Sequence, residues 1–81
     1  MSEHAFYAEH AVIGAIFFDP ELIKECSLQE EHFYEARHKI IFQAMRALER
    51  SETPSDIVSV VTVLRDVLES IGGVAYLSDL I

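Results

Sequence analysis

Apolar side chains recur at steps of three and four residues along most of the chain, which is the period of an amphipathic helix. The first such segment predicts a helix that begins near residue 4 and ends at Phe18. Glu9 is assigned to its polar side. The residues assigned to its apolar face are Phe6, Ile13, Ile16 and Phe17.

The next segment contains two predicted helix starts. Aspartate can cap a helix N-terminus, and proline suits the first helical position because its missing N–H would have no intrahelical partner. Asp19 and Pro20 therefore predict a short second helix from Pro20 to Cys26. Ser27 and Glu30 have the spacing of a capping box and predict a further short turn.

The clearest predicted helix covers residues 35–50. Pro54 follows it and pushes the preceding residue out of the α region, and either Ser55 or Asp56 can cap the next helix. The stripe that recurs at helical spacing in residues 35–50 is Arg37, Ile41, Ala44, Met45 and Leu48.

Residues 57–71 are ambiguous on propensity, because their many β-branched side chains favour strands. Periodicity favours a helix, since Val61 and Leu64 belong to one helical stripe but would lie on opposite faces of a strand. Gly72-Gly73 predicts a left-handed cap or a tight corner, and residues 74–81 begin a last helix. We therefore expect one compact all-α domain over residues 1–81, a bundle of about six short helices.

Composition and charge argue against several classes of function. The chain has six Lys and Arg against fourteen Asp and Glu, a net charge of −8, and its basic residues are scattered. Such a surface repels phosphate, so direct binding to nucleic acid or to an anionic membrane is disfavoured. Cys26 is the single cysteine, and the N-terminus lacks the features of a signal peptide, so a cytoplasmic location is expected.

The sequence offers no framework for catalysis, cofactor binding or metal binding. It lacks the motifs GxxxxGKS/T, GxGxxG, GxSxG and HExxH. The pairs His4 and His10, Cys26 and His32, and His32 and His38 are each six residues apart, which is about 120° out of register on a helix. Zinc ligands usually come at shorter, convergent spacings. We therefore assign no catalytic, cofactor or metal residue.

Four blocks, in order, carry a resemblance to a known family: AEHAVIGAIFFDP, EEHFYEARHKIIFQAM, ETPSDIVSVVTVL and IGGVAYLSDL. Each block alone is an amphipathic helix with a cap. Their order and spacing over about residues 8–81 resemble the N-terminal domain of DnaB-type replicative DNA helicases, bacterial or bacteriophage. The chain departs from that pattern in a shorter stretch between Asp19-Pro20 and Phe33-Tyr34.

The resemblance implies a non-catalytic collar and docking domain of a hexameric helicase. Members of the family use ATP and magnesium in C-terminal RecA-like domains and move 5′ to 3′ on DNA. Their N-terminal domain supports a ring built as a trimer of dimers, and it interacts with primase and the helicase loader. A helical hairpin is expected just beyond Ile81, followed by a linker and the motor. The parent ring, rather than this acidic domain, would contact the DNA.

The resemblance and the apolar end of the chain together predict where partners bind. Tyr76, Leu77, Leu80 and Ile81 are expected to face a partner, because aromatic and aliphatic anchors dominate interfaces. Packing of Tyr76 and Leu77 on the preceding helix is the alternative. The residues assigned as caps and corners are Asp19, Pro20, Ser27, Asp56, Gly72 and Gly73.

A second hypothesis for function is a free-standing helical adaptor or regulator that binds a replication protein. A gene that continues into a GxxxxGKS/T motif would favour the helicase. A gene that ends near Ile81 would favour the adaptor.

Overall fold

The computed structural model describes residues 3–81, and helices account for most of them. The four α-helices are α1 (Glu3–Phe18), α2 (Ala36–Arg50), α3 (Ile57–Leu64) and α4 (Gly73–Leu80). The three 3₁₀ helices cover Pro20–Lys24, Glu30–His32 and Arg65–Ile71. No strand forms within residues 3–81, so the predicted all-α class is confirmed. The predicted count of six helices is slightly wrong, because three of the short segments are 3₁₀ helices.

Helices α1 and α2 run side by side in the same direction. Glu9 in α1 contacts His38 near the start of α2, and Ile23, shortly after α1, is held by Arg46 near the end of α2. To start α2 parallel to α1, the chain must cross back along the length of α1. The segment that does so contains the first two 3₁₀ helices. The two ends of α2 are thus anchored by different partners.

The core lies between these two helices and is closed by α3 and α4. Phe33 and Phe42 pack ring against ring, with centroids 4.7 Å apart. A Cβ atom on Gly14 would collide with the carbonyl oxygen of Leu80, so glycine lets the end of α4 approach α1. The buried apolar side chains are Ile13, Ile16, Phe17, Ile23, Phe33, Ile41, Phe42, Ala44, Met45, Leu48, Val60, Leu64, Ile71, Leu77 and Leu80.

The segment after α1 differs from the prediction in two details. The element that starts at Pro20 is a 3₁₀ helix that ends at Lys24, and Asp19 Oδ1 accepts a hydrogen bond from Glu21 N at 3.3 Å. The predicted capping box at Ser27 is wrong. The following turn is Glu30–His32, and His32 Nδ1 accepts from Gln29 N at 2.8 Å in place of a serine cap.

Residues 57–71 are helical, as their periodicity predicts, but they divide into α3 and a 3₁₀ helix at Leu64. Asp56 Oδ1 caps α3 by accepting from Ser59 N at 2.8 Å. The 3₁₀ geometry suits the second half, because its three-residue period puts Leu68 and Ile71 on the same, core-facing side. No helix within residues 3–81 is long and apolar enough to cross a membrane.

The corner before α4 depends on two consecutive glycines. Gly72 has φ of 104° and Gly73 has φ of 71°, a region in which side chains with a Cβ are strained. At Gly72 the space is closed as well, because a Cβ there would lie 2.8 Å from the Tyr76 Cβ. The corner therefore fixes the direction of α4 relative to the 3₁₀ helix before it.

Candidate functional site

A buried polar cluster joins α1, α2 and α4. His38 is fully buried, and its Nδ1 lies 2.8 Å from Glu9 Oε1 while its Nε2 lies 2.6 Å from the Tyr76 hydroxyl. An ionised carboxylate can only accept, so Nδ1 donates to Glu9. In neutral His38 the Nε2 atom then accepts from the Tyr76 O–H. The three side chains form a directed chain of hydrogen bonds across three helices.

Glu9 also caps the start of α2. Its Oε2 accepts from Tyr34 N at 2.6 Å, and its Oε1 accepts from Glu35 N at 3.2 Å. These amides lie at the positive end of the α2 dipole and find no acceptor within that helix. Glu35 flanks α2 but makes no side-chain cap there. A carboxylate from α1 therefore does the work that an N-cap side chain usually does.

The charge state of Glu9 follows from this environment. Burial raises the pKa of the Glu9 carboxyl, but the hydrogen bonds from Tyr34 N, His38 and Glu35 N together outweigh it, so the pKa lies below its ordinary value of 4.5. Glu9 is therefore ionised at neutral pH, and it is satisfied by three donors. This explains how a carboxylate is tolerated in the interior of so small a domain.

Tyr76 is the part of the cluster nearest to solvent, and it is half-buried. The Arg37 guanidinium stacks on its ring, with Cζ 3.9 Å from the centroid, and Arg37 Nε also donates to Glu35 Oε1 at 3.3 Å. Burial raises the pKa of the Tyr76 hydroxyl, although the charge of Arg37 opposes this. The phenol is therefore neutral and available as the donor to His38.

The cluster has the residue types of an acid–base relay, but its geometry indicates a structural role. Both nitrogens of His38 are already engaged, and Phe6 covers the ring with centroids 5.0 Å apart. A general base must reach a substrate proton directly or through one water. His38 is shut off from solvent, so the cluster holds α1, α2 and α4 together.

The structure separates the four residues that the sequence assigns to partner binding. Leu77 is fully buried and Leu80 is 3% exposed, so the expectation that they face a partner is wrong. Both face the core because residues three apart lie on the same side of an α-helix. Tyr76 is half-buried and engaged with His38, so it packs on α2 rather than on the preceding helix. Ile81 is 67% exposed, and its role in binding stays a prediction.

Sequence reasoning missed Glu9 and His38, although a signal exists for both. Glu9 lies four residues before the buried Ile13, and His38 lies three before Ile41, so each occupies the apolar stripe of its helix. A polar residue at such a position is either paired or misassigned. Glu9 and His38 occupy such positions on neighbouring helices, which indicates that they are hydrogen-bonded to each other.

Among residues 3–81, no three His, Cys, Asp or Glu side chains are grouped so that they could hold a metal ion. His38 is committed to Glu9 and Tyr76, and His32 accepts from a backbone amide. The six-residue spacings therefore bring no ligand set together in this part of the chain.

Comparison with known proteins agrees with this helical architecture. The family model described as the DnaB-like helicase N-terminal domain matches residues 1–81. The replicative DNA helicase DnaB of Geobacillus stearothermophilus is 49% identical over 78 residues, which is 90% of this chain and 17% of that protein. The replicative DNA helicase DnaC of Bacillus subtilis is 40% identical over 77 residues, again 90% of this chain and 17% of that protein.

Two solved structures share the fold. One is of a DnaB-like replicative helicase and its interactions with primase, with a TM-score of 0.85, 42% identity and coverage of 91% of this chain and 18% of that chain. The other is the N-terminal domain of DnaB helicase from Mycobacterium tuberculosis, with a TM-score of 0.85, 31% identity and coverage of 90% and 55%. The chain belongs to the DnaB-like helicase N-terminal domain family.

Proposed function

We propose that this chain is the non-catalytic collar and docking domain of a replicative DNA helicase. The observation that carries the proposal is the family match over residues 1–81, together with the shared fold of a DnaB-like helicase solved with its primase interactions. The interior supports the proposal too, because the Glu9–His38 pair is buried away from solvent. We infer that the chain contributes structure and contacts rather than chemistry.

The properties of the whole protein belong to the same proposal, since the chain spans 17% of the first two relatives named above. We expect a parent that continues into a helical hairpin, a linker and a RecA-like motor. That motor would use ATP and magnesium to unwind DNA in the cytoplasm. This domain would support a hexameric ring and meet primase and the helicase loader.

We place the docking face on the outer side of α4. Val74 is 48% exposed and Ile81 is 67% exposed, and the two lie seven residues apart, which is about two helical turns. Tyr76 lies about 200° around α4 from Val74, at the opposite edge of this side, with its ring held by Arg37 and its hydroxyl held by His38. Apolar anchors on a rigid support bind with little loss of conformational freedom.

The test is a titration of the ¹⁵N-labelled chain with the C-terminal domain of a replicative primase, followed by amide chemical shifts. We expect saturable shifts confined to residues 71–81. Ile81→Ser should weaken the interaction about tenfold, since a central aliphatic anchor in an interface contributes roughly 1 to 2 kcal/mol. Sedimentation of the chain alone would measure its self-association.

Val58→Ser is the matched control, because Val58 is 74% exposed but lies on α3. It should leave the titration unchanged. Absence of any saturable shift with a monomeric chain would contradict a docking role for this domain. Turnover of ATP by the purified chain would contradict the non-catalytic part.

A further inference from the structure

A groove lies at the end of α2 that is remote from the polar cluster. It has a volume of about 480 Å³ and runs between the 3₁₀ helix Pro20–Lys24 and the loop after α2. Ile23, buried at 3% exposure, contributes to its floor, and Pro20 and Pro54 stand on its two sides. Proline fixes φ, so both walls are stiff. A volume near the lower end of the range for ligand pockets fits a short segment rather than a folded partner.

Acidic side chains surround this apolar floor. Glu21, Glu49 and Glu52 line the groove together with one basic residue, Lys24. Lys24 Nζ lies 2.8 Å from Glu21 Oε2, which engages its charge, and Glu49 is held by Arg46 at 2.9 Å. Each pair neutralises one carboxylate, so Glu52 alone is unpaired and the groove keeps an excess of one negative charge.

Glu52 is the least expected of these residues, because its backbone is left-handed with φ of 58°. Glu52 N donates to Glu49 O at 2.9 Å and Thr53 N donates to Leu48 O at 2.9 Å, which is the Schellman pattern that ends a helix. Glycine usually occupies this position. Within residues 3–81 the Glu52 carboxylate makes no hydrogen bond or salt bridge, and its charge acts on Lys24 through space.

We propose that this groove docks a short extended segment of a partner protein in which an apolar side chain is flanked by lysine or arginine. The apolar side chain would rest on Ile23 between the two prolines, and the basic side chains would meet Glu21 and Glu52. Charge complementarity selects this occupant. The proposal does not depend on the α4 face, because the two sites lie toward opposite ends of α2.

Charge argues against the other occupants. Phosphate-bearing ligands would be repelled by the unpaired Glu52 and by the net charge of −8. A second copy of the chain carries the same excess of negative charge, so its approach is opposed as well. The hydrogen bond to Glu21 and the charge of Glu21 raise the pKa of the Lys24 ammonium, and the charges of Glu49 and Glu52 act in the same direction.

The probe is a blocked hexapeptide, KLPKLK, titrated into the ¹⁵N-labelled chain at low salt, with ELPELE as the peptide of reversed charge. We expect saturable amide shifts at residues 21–24, at residues 49–53 and at Ser55 with the basic peptide alone. The affinity should fall as salt is added, since exposed charges are screened within about 10 Å at 0.1 M.

Glu52→Gly separates binding from folding. This change removes the carboxylate and relieves the strain of a left-handed backbone at a residue with a Cβ. It should therefore raise Tm by about 4 °C and weaken binding of the basic peptide about threefold. Glu52→Lys should weaken the peptide about tenfold, because repulsion is added to the lost attraction. Glu69→Lys is the matched control, since Glu69 is exposed and does not line the groove, and it should leave the affinity unchanged.

Three results would overturn the proposal. The first is the absence of saturable shifts in the groove, and the second is equal binding of the two peptides. The third is a set of groove shifts that grows with the concentration of the chain alone, which would identify a second copy as the occupant. None of these results bears on primase binding at residues 71–81, so the two proposals fail separately.

Discussion

Helix α2 is held at its two ends by polar contacts of opposite character. At its start, Glu9 and His38 form a buried pair of ionisable groups that continues to Tyr76. At its end, Arg46 binds three neutral backbone carbonyls and also pairs with Glu49. The first contact depends on the state of its protons, whereas a guanidinium stays charged at every pH at which the fold survives.

The Arg46 contact replaces missing secondary structure. Its Nη1 donates to Ile23 O at 3.0 Å, and its Nη2 donates to Cys26 O at 2.5 Å and Leu28 O at 2.7 Å. Carbonyls in a segment without regular helix need a donor when they are removed from water. One planar side chain satisfies three of them, and this explains how residues 23–28 can cross the end of α2 in an irregular path.

The comparison separates two tasks that polar groups perform in one small core. Glu9 accepts hydrogen bonds from backbone N–H groups before α2 that have no acceptor in that helix. Arg46 donates hydrogen bonds to backbone carbonyls of residues 23–28. Each side chain acts on backbone at least 18 residues away in sequence, so neither contact can form before the chain has folded globally. Both should matter to stability, but only the first depends on a carboxylate for its contacts with the backbone.

Removing Glu9 should produce the largest effect. Glu9→Ala leaves Tyr34 N, Glu35 N and the His38 ring without their acceptor, and breaking a buried pair of this kind costs about 3 to 5 kcal/mol. Thermal unfolding followed by circular dichroism should show Tm lower by about 15 °C or more. Glu3→Ala, in the same helix but exposed, should change Tm by no more than a few degrees.

Removing the Arg46 guanidinium should produce the second largest loss of stability. Arg46→Met keeps much of the apolar stem but leaves three carbonyls to find water, and we expect a loss of about 2 to 3 kcal/mol in urea unfolding. Arg46→Lys should recover part of the loss, because an ammonium retains charge but lacks the planar geometry. Arg50→Met, an exposed change in the same turn, is the control. Equal stability of the Met and Lys variants would show that the fork geometry is unimportant.

Much of the fold was predictable from the sequence because the signals are local. Periodicity located α1, α2 and the helical character of residues 57–71, and the glycine pair located the corner before α4. The failures were contacts across the chain. Nothing near Ser27 reveals that His32 would cap the turn, and nothing near Leu77 reveals that it would be fully buried.

The candidate site was harder to predict for the same reason. The sequence places Glu9 on the polar side of α1, because a charged residue is usually solvated. Its partners lie 25 to 29 residues away, and only the packing of α1 along α2 brings them together. Exposure of Ile81 and burial of Leu80 likewise depend on how α4 closes over Gly14, which periodicity over eight residues could not decide.

Acid should distinguish the two ends of α2. The folded pKa of Glu9 lies below the ordinary value of 4.5, so its contribution is present above pH 4.5 and is lost as the pH falls through the folded value. The free energy of unfolding, measured in urea between pH 7 and pH 3, should therefore fall below pH 4.5. Arg46→Met should show the same slope from a lower starting value.

Glu9→Gln isolates the response of this carboxyl from that of the others. Glutamine keeps an acceptor oxygen but cannot titrate, so the variant should lose less stability than the wild-type chain between pH 4.5 and pH 3. If the free energy of unfolding fell equally with pH in the two proteins, other carboxyls would cause the acid sensitivity. The hydrogen bonds of Glu9 would then not lower its pKa in the folded chain.

The smallest effect should come from the outermost bond of the cluster. Tyr76→Phe removes only the hydroxyl that donates to His38 Nε2 at 2.6 Å and leaves the ring under Arg37, so the loss should be about 1 kcal/mol. Tyr7→Phe, at a tyrosine that is 61% exposed, should change stability by no more than a few tenths of a kcal/mol. A ¹⁵N spectrum of the His38 ring adds a direct readout, because loss of the Tyr76 donor should shift Nε2 while Nδ1 stays bonded to Glu9. If Tyr76→Phe moved neither stability nor the Nε2 resonance, water would be the partner of His38 in solution, and the hydroxyl would be available at the surface of α4.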